Sequence, residues 1–157
     1  MSDNASAPIT VDTAPHLKNE RDALRAFQTL LENEQQALLT QDSEQLLSLA
    51  EAKTQATHKL TELSRLRRQQ LNSATLDTTQ WIQQNAPSCR DLWDEIRELA
   101  ARAHQLNQIN GEVIQLKLRS NQKALTALLG ATQNAAGLYG KDGHPNLPIA
   151  GRTLGSG

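Results

Sequence analysis

Apolar residues recur at helical spacing along the first half of the chain, which predicts two amphipathic helices. The first stripe contains Leu17, Leu24, Leu31 and Leu38, with Phe27 on the same face. The second stripe contains Leu46, Leu49, Ala56, Leu60 and Leu63. Charged residues interrupt the stripes, Glu20 and Glu34 in the first and Lys53 in the second. Because this spacing places side chains on one helix face, we expect helices over about residues 14–39 and 43–72.

Glycine and proline are absent from most of the region in which helices are expected. Seven of the eight glycines lie from Gly130 onward, and neither glycine nor proline occurs between residues 16 and 86. Proline breaks the interior of a helix and glycine weakens it, so this interval is free to be helical. Pro87 then lies just before the next stretch that can form a helix.

Two aspartates have the sequence context of helix N-caps. Asp42, followed three residues later by Gln45, predicts the start of the second helix. Because only two residues separate it from the first helix, the two helices should be antiparallel neighbours. Asp77 similarly predicts a short helix over about residues 77–85.

The remaining apolar pattern predicts one long third helix, over about residues 89–136. At 1.5 Å per residue the first two helices are roughly 40–45 Å long, whereas the third would reach about 60 Å. Packing against the second helix would therefore end near Arg119, and the following turns would project beyond the bundle. The helix has two stripes, which change over just after Gly111: Leu92, Leu99, Leu106 and Val113, then Ile114, Leu118, Leu125 and Leu129.

The second stripe has two interpretations that the pattern alone leaves open. An apolar stripe with no partner in its own chain is typical of a binding surface. Such a surface would be formed by Ile114, Leu118, Leu125, Leu128 and Leu129. Alternatively, the chain bends, or the first helix is offset so that it covers the stripe.

Together these elements predict an all-α protein, an elongated antiparallel helical hairpin or three-helix bundle with a long third helix. The bundle is expected over residues 14–136, after a flexible N-terminus at residues 1–13. From residue 137 to residue 157 the composition shifts to Ala, Gly, Asn and Pro. Such a segment buries too little apolar surface to offset the entropy lost on ordering, so we expect a disordered tail.

Composition narrows the functional classes. Sixteen Lys and Arg against seventeen Asp and Glu give a net charge of −1, without the basic excess typical of non-specific nucleic-acid binding. A single cysteine, Cys89, fits a reducing compartment. The first fifteen residues do not have the pattern of a signal peptide, and no stretch approaches the roughly 20 apolar residues of a membrane span. We expect a soluble, cytoplasmic protein that neither binds nucleic acid nor inserts into a membrane.

Side chains that could perform chemistry are sparse in the sequence. The four histidines are far apart and form no metal-ligand spacing. Cys89 lies at a helix start, where its thiol could be activated, but no base is placed to assist it. We therefore predict no catalytic residue, no metal site, no cofactor and no enzymatic activity.

A basic cluster at the end of the second helix has two interpretations. It comprises Lys59, Arg65, Arg67 and Arg68. Positive charge at a helix C-terminus complements the helix dipole, which is a purely structural role. The alternative is an anionic partner such as RNA, although no aromatic side chains alternate with the arginines to stack on bases.

Two tryptophans flank the Pro87 turn. Trp81 and Trp93 are expected to close one end of the bundle core, because large apolar side chains are usually buried. A hot spot for a partner protein at the same place is the alternative.

The second half of the chain resembles the FlgN family of flagellar export chaperones. The resemblance is strongest in the third helix and just beyond it. It rests on Asn107, Asn110–Gly111, Val113–Ile114, Leu118–Arg119, Ala124–Leu125, Leu128–Leu129–Gly130, Tyr139–Gly140 and Asp142–Gly143. Lys141 and His144 depart from the family pattern, and the first two helices match it only as a Leu-rich hairpin.

The resemblance implies a cytosolic chaperone of the flagellar type III export system. Its cargo would be the hook-associated junction proteins, bound through their C-terminal helices by the Ile114–Leu129 stripe and kept soluble and monomeric. The resemblance also implies that Tyr139 helps to dock the chaperone on the export gate, and that binding needs no nucleotide. A monomer is expected.

Two alternatives remain open at the level of sequence. In the first, the chain is a self-associating coiled-coil adaptor whose second stripe meets its own copy. In the second, it is an anion-binding or RNA-binding helical module built on the basic cluster. The first predicts a dimer without cargo, and the second predicts nucleic-acid binding that weakens steeply with salt.

Overall fold

The computed structural model describes residues 13–71, 77–118 and 122–138. These residues form five α-helices and a short 3₁₀ turn, with no strand among them, which confirms the all-α class. The helices are α1 (Thr13–Thr40), α2 (Ser43–Gln70), α3 (Thr78–Asn85), α4 (Arg90–Lys117) and α5 (Gln122–Leu138), and the 3₁₀ turn covers Pro87–Cys89. The predicted Tyr139 site, the remainder of the predicted tail and residues 1–12 lie outside the described part of the chain.

The α1–α2 turn is built as the sequence predicts. The Oδ1 atom of Asp42 accepts a hydrogen bond from the backbone N–H of Gln45 at 3.1 Å and so caps α2. On the other side, the N–H of Asp42 donates to the carbonyl of Ala37 at 3.3 Å, a pattern that ends a helix through a left-handed residue. That residue is Gln41, with φ of 57°.

Replacing Gln41 by glycine is expected to stabilise the protein by about 0.5–1 kcal/mol. A side chain in the left-handed region carries a steric penalty that glycine avoids, and this gain exceeds glycine's additional freedom in the unfolded chain. Urea unfolding would measure the change. A matched glycine at the exposed Gln36, inside α1, should instead destabilise the fold by about 1 kcal/mol. Destabilisation by Gln41→Gly would contradict this account of the turn.

Two buried ion pairs fix the register of α1 against α2. Arg67 pairs with Glu20, and Lys53 Nζ lies 3.1 Å from Glu34 Oε1. The two acidic residues are two heptads apart on α1 and the two basic residues are two heptads apart on α2. Because the earlier acidic residue meets the later basic one, the helices are antiparallel, as predicted.

Helix α4 runs parallel to α1 on its other side. Asn110 Nδ2 donates to the carbonyl of Leu31 at 2.9 Å, and one helical repeat further on, Lys117 donates to the carbonyl of Leu38. The short α3 precedes α4 at the opposite end of the bundle. Asp77 caps α3 by accepting from the N–H of Gln80 at 2.7 Å, as predicted.

The prediction of one long third helix is wrong. Helix α4 is continuous through Gly111 but ends at Lys117, close to Arg119, where packing against the second helix was expected to end. The chain then reverses, and α5 packs along both α4 and α2. The result is a four-helix bundle, in cyclic order α1, α2, α5 and α4, in place of an elongated hairpin with a projecting helix. The second apolar stripe is divided between α4 and α5, and its two halves pack against each other in a helical hairpin.

The interior of the bundle consists of two apolar clusters. The lower cluster, near the start of α1, includes Phe27, Leu60, Ile82, Trp93 and Leu138. The upper cluster, near the α1–α2 turn, contains Ala37, Leu38, Leu46, Ala50, Ile114, Ala124, Leu125 and Leu128. Buried polar side chains lie between them. None of the helices in the described part of the chain has the length and apolar character that crossing a membrane requires.

Candidate functional site

The residues predicted to bind cargo lie at the contact between α4 and α5. Ile114, Leu125 and Leu128 are at most 3% exposed and belong to the upper apolar cluster. Leu118 and Leu129 are partly buried at the edge of this cluster. Of the two interpretations left open, the structure therefore contradicts the stripe without a partner in its own chain and adopts the bend.

Helix α5 approaches α4 closely at Gly111. A Cβ atom added there would lie 3.1 Å from Cγ2 of Thr132, which is tighter than an ordinary contact. The buried face of α5 is also rich in small residues, Ala124, Ala131 and Ala135. Glycine and alanine let two helix backbones approach, and this explains a glycine inside α4 despite its unfavourable effect on helix stability.

A layer of buried polar side chains separates the two apolar clusters, and all four long helices contribute to it. This polar layer comprises Glu34 from α1, Lys53 from α2, Asn107 and Asn110 from α4, and Thr132 from α5. The Nζ atom of Lys53 donates to both carboxylate oxygens of Glu34 at 3.1 Å and to Oγ1 of Thr132 at 2.6 Å. Lys53 therefore joins α1, α2 and α5.

The two asparagines of the polar layer link α4 to its neighbours on either side. Asn110 Nδ2 donates to Glu34 Oε1 at 2.8 Å as well as to the carbonyl of Leu31. Asn107 Nδ2 donates to the carbonyl of Thr132 at 2.9 Å. Their Oδ1 atoms are buried and accept no hydrogen bond from the described residues. The motif residues Asn107, Asn110 and Gly111 thus form the seam between α4 and the helices beside it.

Burial dominates the electrostatics of Lys53. Removal from water lowers the pKa of its ammonium group from the usual 10.5, while attraction to Glu34 and the hydrogen bond to it act in the opposite direction. Burying a charge is unfavourable unless it is paired and hydrogen-bonded. Glu34 is therefore the group that keeps a charged Lys53 compatible with this interior.

The sequence contained a signal for the polar layer that its analysis did not use. Glu34 and Lys53 are the residues that interrupt the apolar stripes of α1 and α2. In an antiparallel hairpin, opposite charges at matching depth on facing stripes predict a buried pair. The same reasoning would have paired Glu20 with Arg67.

Arg67 has a different role from the rest of the basic cluster. It is 2% exposed, pairs with Glu20, and its guanidinium carbon lies 4.8 Å from the ring centroid of Trp93. Arg65 is exposed and pairs with Glu62, with Nη2 to Oε1 at 2.6 Å. The four basic residues consequently do not form one continuous surface for an anionic partner.

Two open grooves flank α5. One, of about 390 Å³, lies between α4 and α5 and is lined by residues that include Gln108, Gly111, Leu129 and Thr132. The other, of about 380 Å³, lies between α2 and α5 and is lined by residues that include His58, Thr61, Asn134 and Gly137. Both edges of α5 are therefore incompletely sealed against its neighbours.

The other candidate side chains are dispersed. Nε2 of His16 contacts the carbonyl of Leu63 at 2.9 Å, His58 is exposed, and Cys89 is a buried free thiol. Within residues 13–71, 77–118 and 122–138, no group of three or more His, Cys, Asp or Glu side chains could hold a metal ion.

Comparison with known proteins agrees with this geometry. The family model described as "FlgN protein" matches residues 14–146. A "Flagella synthesis protein FlgN" from Yersinia enterocolitica is 29% identical over 141 residues, covering 89% of this chain and 94% of that protein. The protein of the same name from the serotype O:8 strain matches to the same extent.

No solved structure gives a significant match. FlgN proteins are chaperones of flagellum assembly and not enzymes, which confirms the prediction that the chain is not an enzyme. Because the family match covers most of the chain and includes all five helices, the chain belongs to the FlgN family.

Proposed function

We propose that this chain is a cytosolic export chaperone that binds the C-terminal helices of hook-associated junction proteins and delivers them to the flagellar export gate. The observation that supports this most strongly is a groove between α2 and α4 that holds an amphipathic helix, the chain's own α5. A surface shaped for one helix can receive another by the helix-in-groove mode. Bound there, a cargo helix would bury its apolar face at about 25 cal/mol per Å² and so remain soluble and monomeric.

Cargo binding is assigned to Ile114, Leu118, Leu125, Leu128 and Leu129. The first contact would fall on Leu118 and Leu129, because these two are partly buried at the edge of the upper apolar cluster while the other three are covered. Replacing Leu125 by aspartate would place a carboxylate inside the core, so loss of binding could not be separated from loss of folding. Leu118, at the end of α4, is therefore the appropriate site for substitution.

Replacing Leu118 by aspartate is expected to weaken cargo binding at least tenfold while leaving helicity unchanged, because Leu118 follows α4 at the rim of the groove and an apolar contact with cargo is lost there. The measurement is size-exclusion chromatography with light scattering on mixtures with C-terminal fragments of hook-associated proteins. Unsubstituted protein should pass from a monomer to a one-to-one complex. The matched control is Leu116→Asp, since Leu116 is 82% exposed on the same helix, and it should bind normally.

Two results would contradict the assignment. Undiminished complex formation by Leu118→Asp would remove Leu118 from the site. A stable dimer that ignores the cargo fragments would favour the self-associating adaptor. That alternative depends on the same stripe, whose two halves pack against each other within one chain.

Tyr139 is assigned to docking on the export gate. Replacing it by alanine is expected to leave the cargo complex intact but to reduce export of the hook-associated proteins severalfold, because docking and cargo binding would use different surfaces. Secretion of these proteins by cells carrying the variant, alongside co-elution with cargo in vitro, measures the two steps separately. Normal secretion by Tyr139→Ala would contradict the docking role.

A further inference from the structure

We propose that α5 occupies the cargo groove in the free protein and that a cargo helix binds by taking its place between α2 and α4. The inference rests on the proposed function, since it specifies how the same site receives its partner. It also defines the partner chemically, as an amphipathic helix that reproduces the buried face of α5. Ile114 and Leu118 then line the groove, and the side chains of the cargo helix take the places of Leu125, Leu128 and Leu129 of α5.

The first argument is that α5 is the shortest of the four bundle helices and has an open groove along each edge. It has 17 residues, whereas α1, α2 and α4 have 28 each, so it is about 16 Å shorter than its neighbours. Open grooves of about 380 and 390 Å³ run along its two edges. A competing helix can therefore approach α5 from either edge.

The second argument is that the polar layer remains largely paired without α5. The contacts of Lys53 with Glu34, and of Asn110 with Glu34 and the carbonyl of Leu31, join only α1, α2 and α4. Helix α5 contributes one residue, Thr132, whose hydroxyl accepts from Lys53 and whose carbonyl accepts from Asn107. Displacement of α5 therefore leaves the buried charge of Lys53 neutralised by Glu34.

The third argument concerns what the groove selects. The face of α5 that lies in the groove consists of Leu125, Leu128, Ala131, Thr132 and Ala135. The upper part of the groove accepts leucines. The residue that takes the place of Thr132 lies close to Gly111 and must therefore be small. It must also supply an oxygen that accepts a hydrogen bond from Lys53. A fitting partner is thus a helix with two leucines three residues apart, then a serine or threonine one turn later, between small residues.

A reversible cross-link between α4 and α5 tests the exchange directly. The close approach of residues 111 and 132 is compatible with a disulfide, so the full chain would carry Gly111→Cys and Thr132→Cys. A Cys89→Ala substitution removes the native thiol. Oxidised and reduced samples of this one variant differ only in whether α5 can leave, and circular dichroism would show that both are folded.

The result expected is that the reduced variant binds the C-terminal fragments of hook-associated proteins and the oxidised variant binds them at least a hundredfold more weakly. Equal binding by the two samples would overturn the exchange while leaving the chaperone function in place. If neither the reduced variant nor the unsubstituted protein binds the fragments, the proposed function fails and the exchange fails with it.

A second variant reports on the exchange without a cross-link. Thr132→Val removes the acceptor for Lys53 and weakens only the α5-bound state, which increases the fraction of molecules open to cargo. Loss of one charge-assisted hydrogen bond should tighten cargo binding about tenfold, whereas Thr126→Val, on the exposed side of α5, should change little. Weaker binding by Thr132→Val would mean that cargo contacts α5 in place, and would overturn the proposal.

Discussion

Replacing Glu34 by glutamine is expected to lower the free energy of unfolding by about 3–5 kcal/mol, the usual effect of removing one partner of a buried ion pair. Glutamine keeps one oxygen that can accept from Asn110 and Lys53, but it removes the charge and replaces the second oxygen to which Lys53 donates by an amide group. At pH 7 the loss of stability cannot greatly exceed about 5 kcal/mol. That is the free energy needed to remove the proton from a lysine whose usual pKa is 10.5, and a neutral Lys53 has no charge that needs a partner. Urea unfolding would measure it.

This loss should diminish as the pH rises from 7 towards 10. Burial already lowers the pKa of Lys53, and Glu34 opposes that lowering, so the substitution lowers the pKa further. A lysine whose pKa is lower in the folded than in the unfolded chain binds fewer protons when folded. Stability then increases with pH until the unfolded pKa is reached. A deficit that stays constant from pH 7 to pH 10 would contradict this explanation.

The matched control is the double variant Glu34→Met and Lys53→Met. Replacing both members of a buried pair by apolar residues of similar size is often neutral, because the desolvation penalty disappears together with the attraction. The double variant should therefore recover most of the stability lost in Glu34→Gln. If the double variant is as unstable as the single one, packing within the polar layer, not its charge, would be responsible.

Replacing Trp93 by alanine is expected to destabilise the protein by about 3–5 kcal/mol, the usual range for deleting a large buried aromatic side chain. Trp93 is 2% exposed and fills the lower apolar cluster. Its Nε1 donates to Oγ1 of Thr79 at 2.9 Å, which ties α4 to α3, and the guanidinium group of Arg67 lies over its ring. The cavity left by the ring also removes cover from the Arg67–Glu20 pair.

Trp81 provides the comparison for this prediction. It lies on α3 and is only partly buried against the same cluster, so Trp81→Ala should have the smaller effect, about 1–2 kcal/mol, in proportion to the apolar area lost. Denaturant midpoints of the two variants, measured in parallel, would decide. Equal effects would mean that Trp93 contributes no more than the partly exposed ring and that the lower cluster is loosely packed.

The sequence places Glu34 and Lys53 on facing stripes, but it predicts that they pair only once the antiparallel register of α1 and α2 is known. The stripe of α1 identifies Glu34 as an interruption, and the stripe of α2 does the same for Lys53. Periodicity indicates which face of a helix is buried, but it does not indicate which residue of the facing helix lies at the same depth. Register is set by the antiparallel packing of the two helices, and only then does an interruption become a buried pair.

The seam at Asn107, Asn110 and Gly111 was recognisable from the family resemblance, but its physical role was not. An asparagine pair and a glycine within a helix are individually unfavourable for helix stability. The presence of Asn107 and Gly111 in α4 is explained by α5, which approaches Gly111 closely and accepts a hydrogen bond from Asn107. No pattern local to α4 contains that information.

By itself the sequence determined the all-α class, the boundaries of α1 and α2 and the caps at Asp42 and Asp77, because these depend on periodicity and on hydrogen bonds between residues close in the chain. The tertiary structure alone decided where the second stripe goes. An apolar stripe must be covered, but its sequence does not say by what, and a free surface and a helix folded back upon it have the same pattern. Here the chain reverses after Leu118, and α5 supplies the cover.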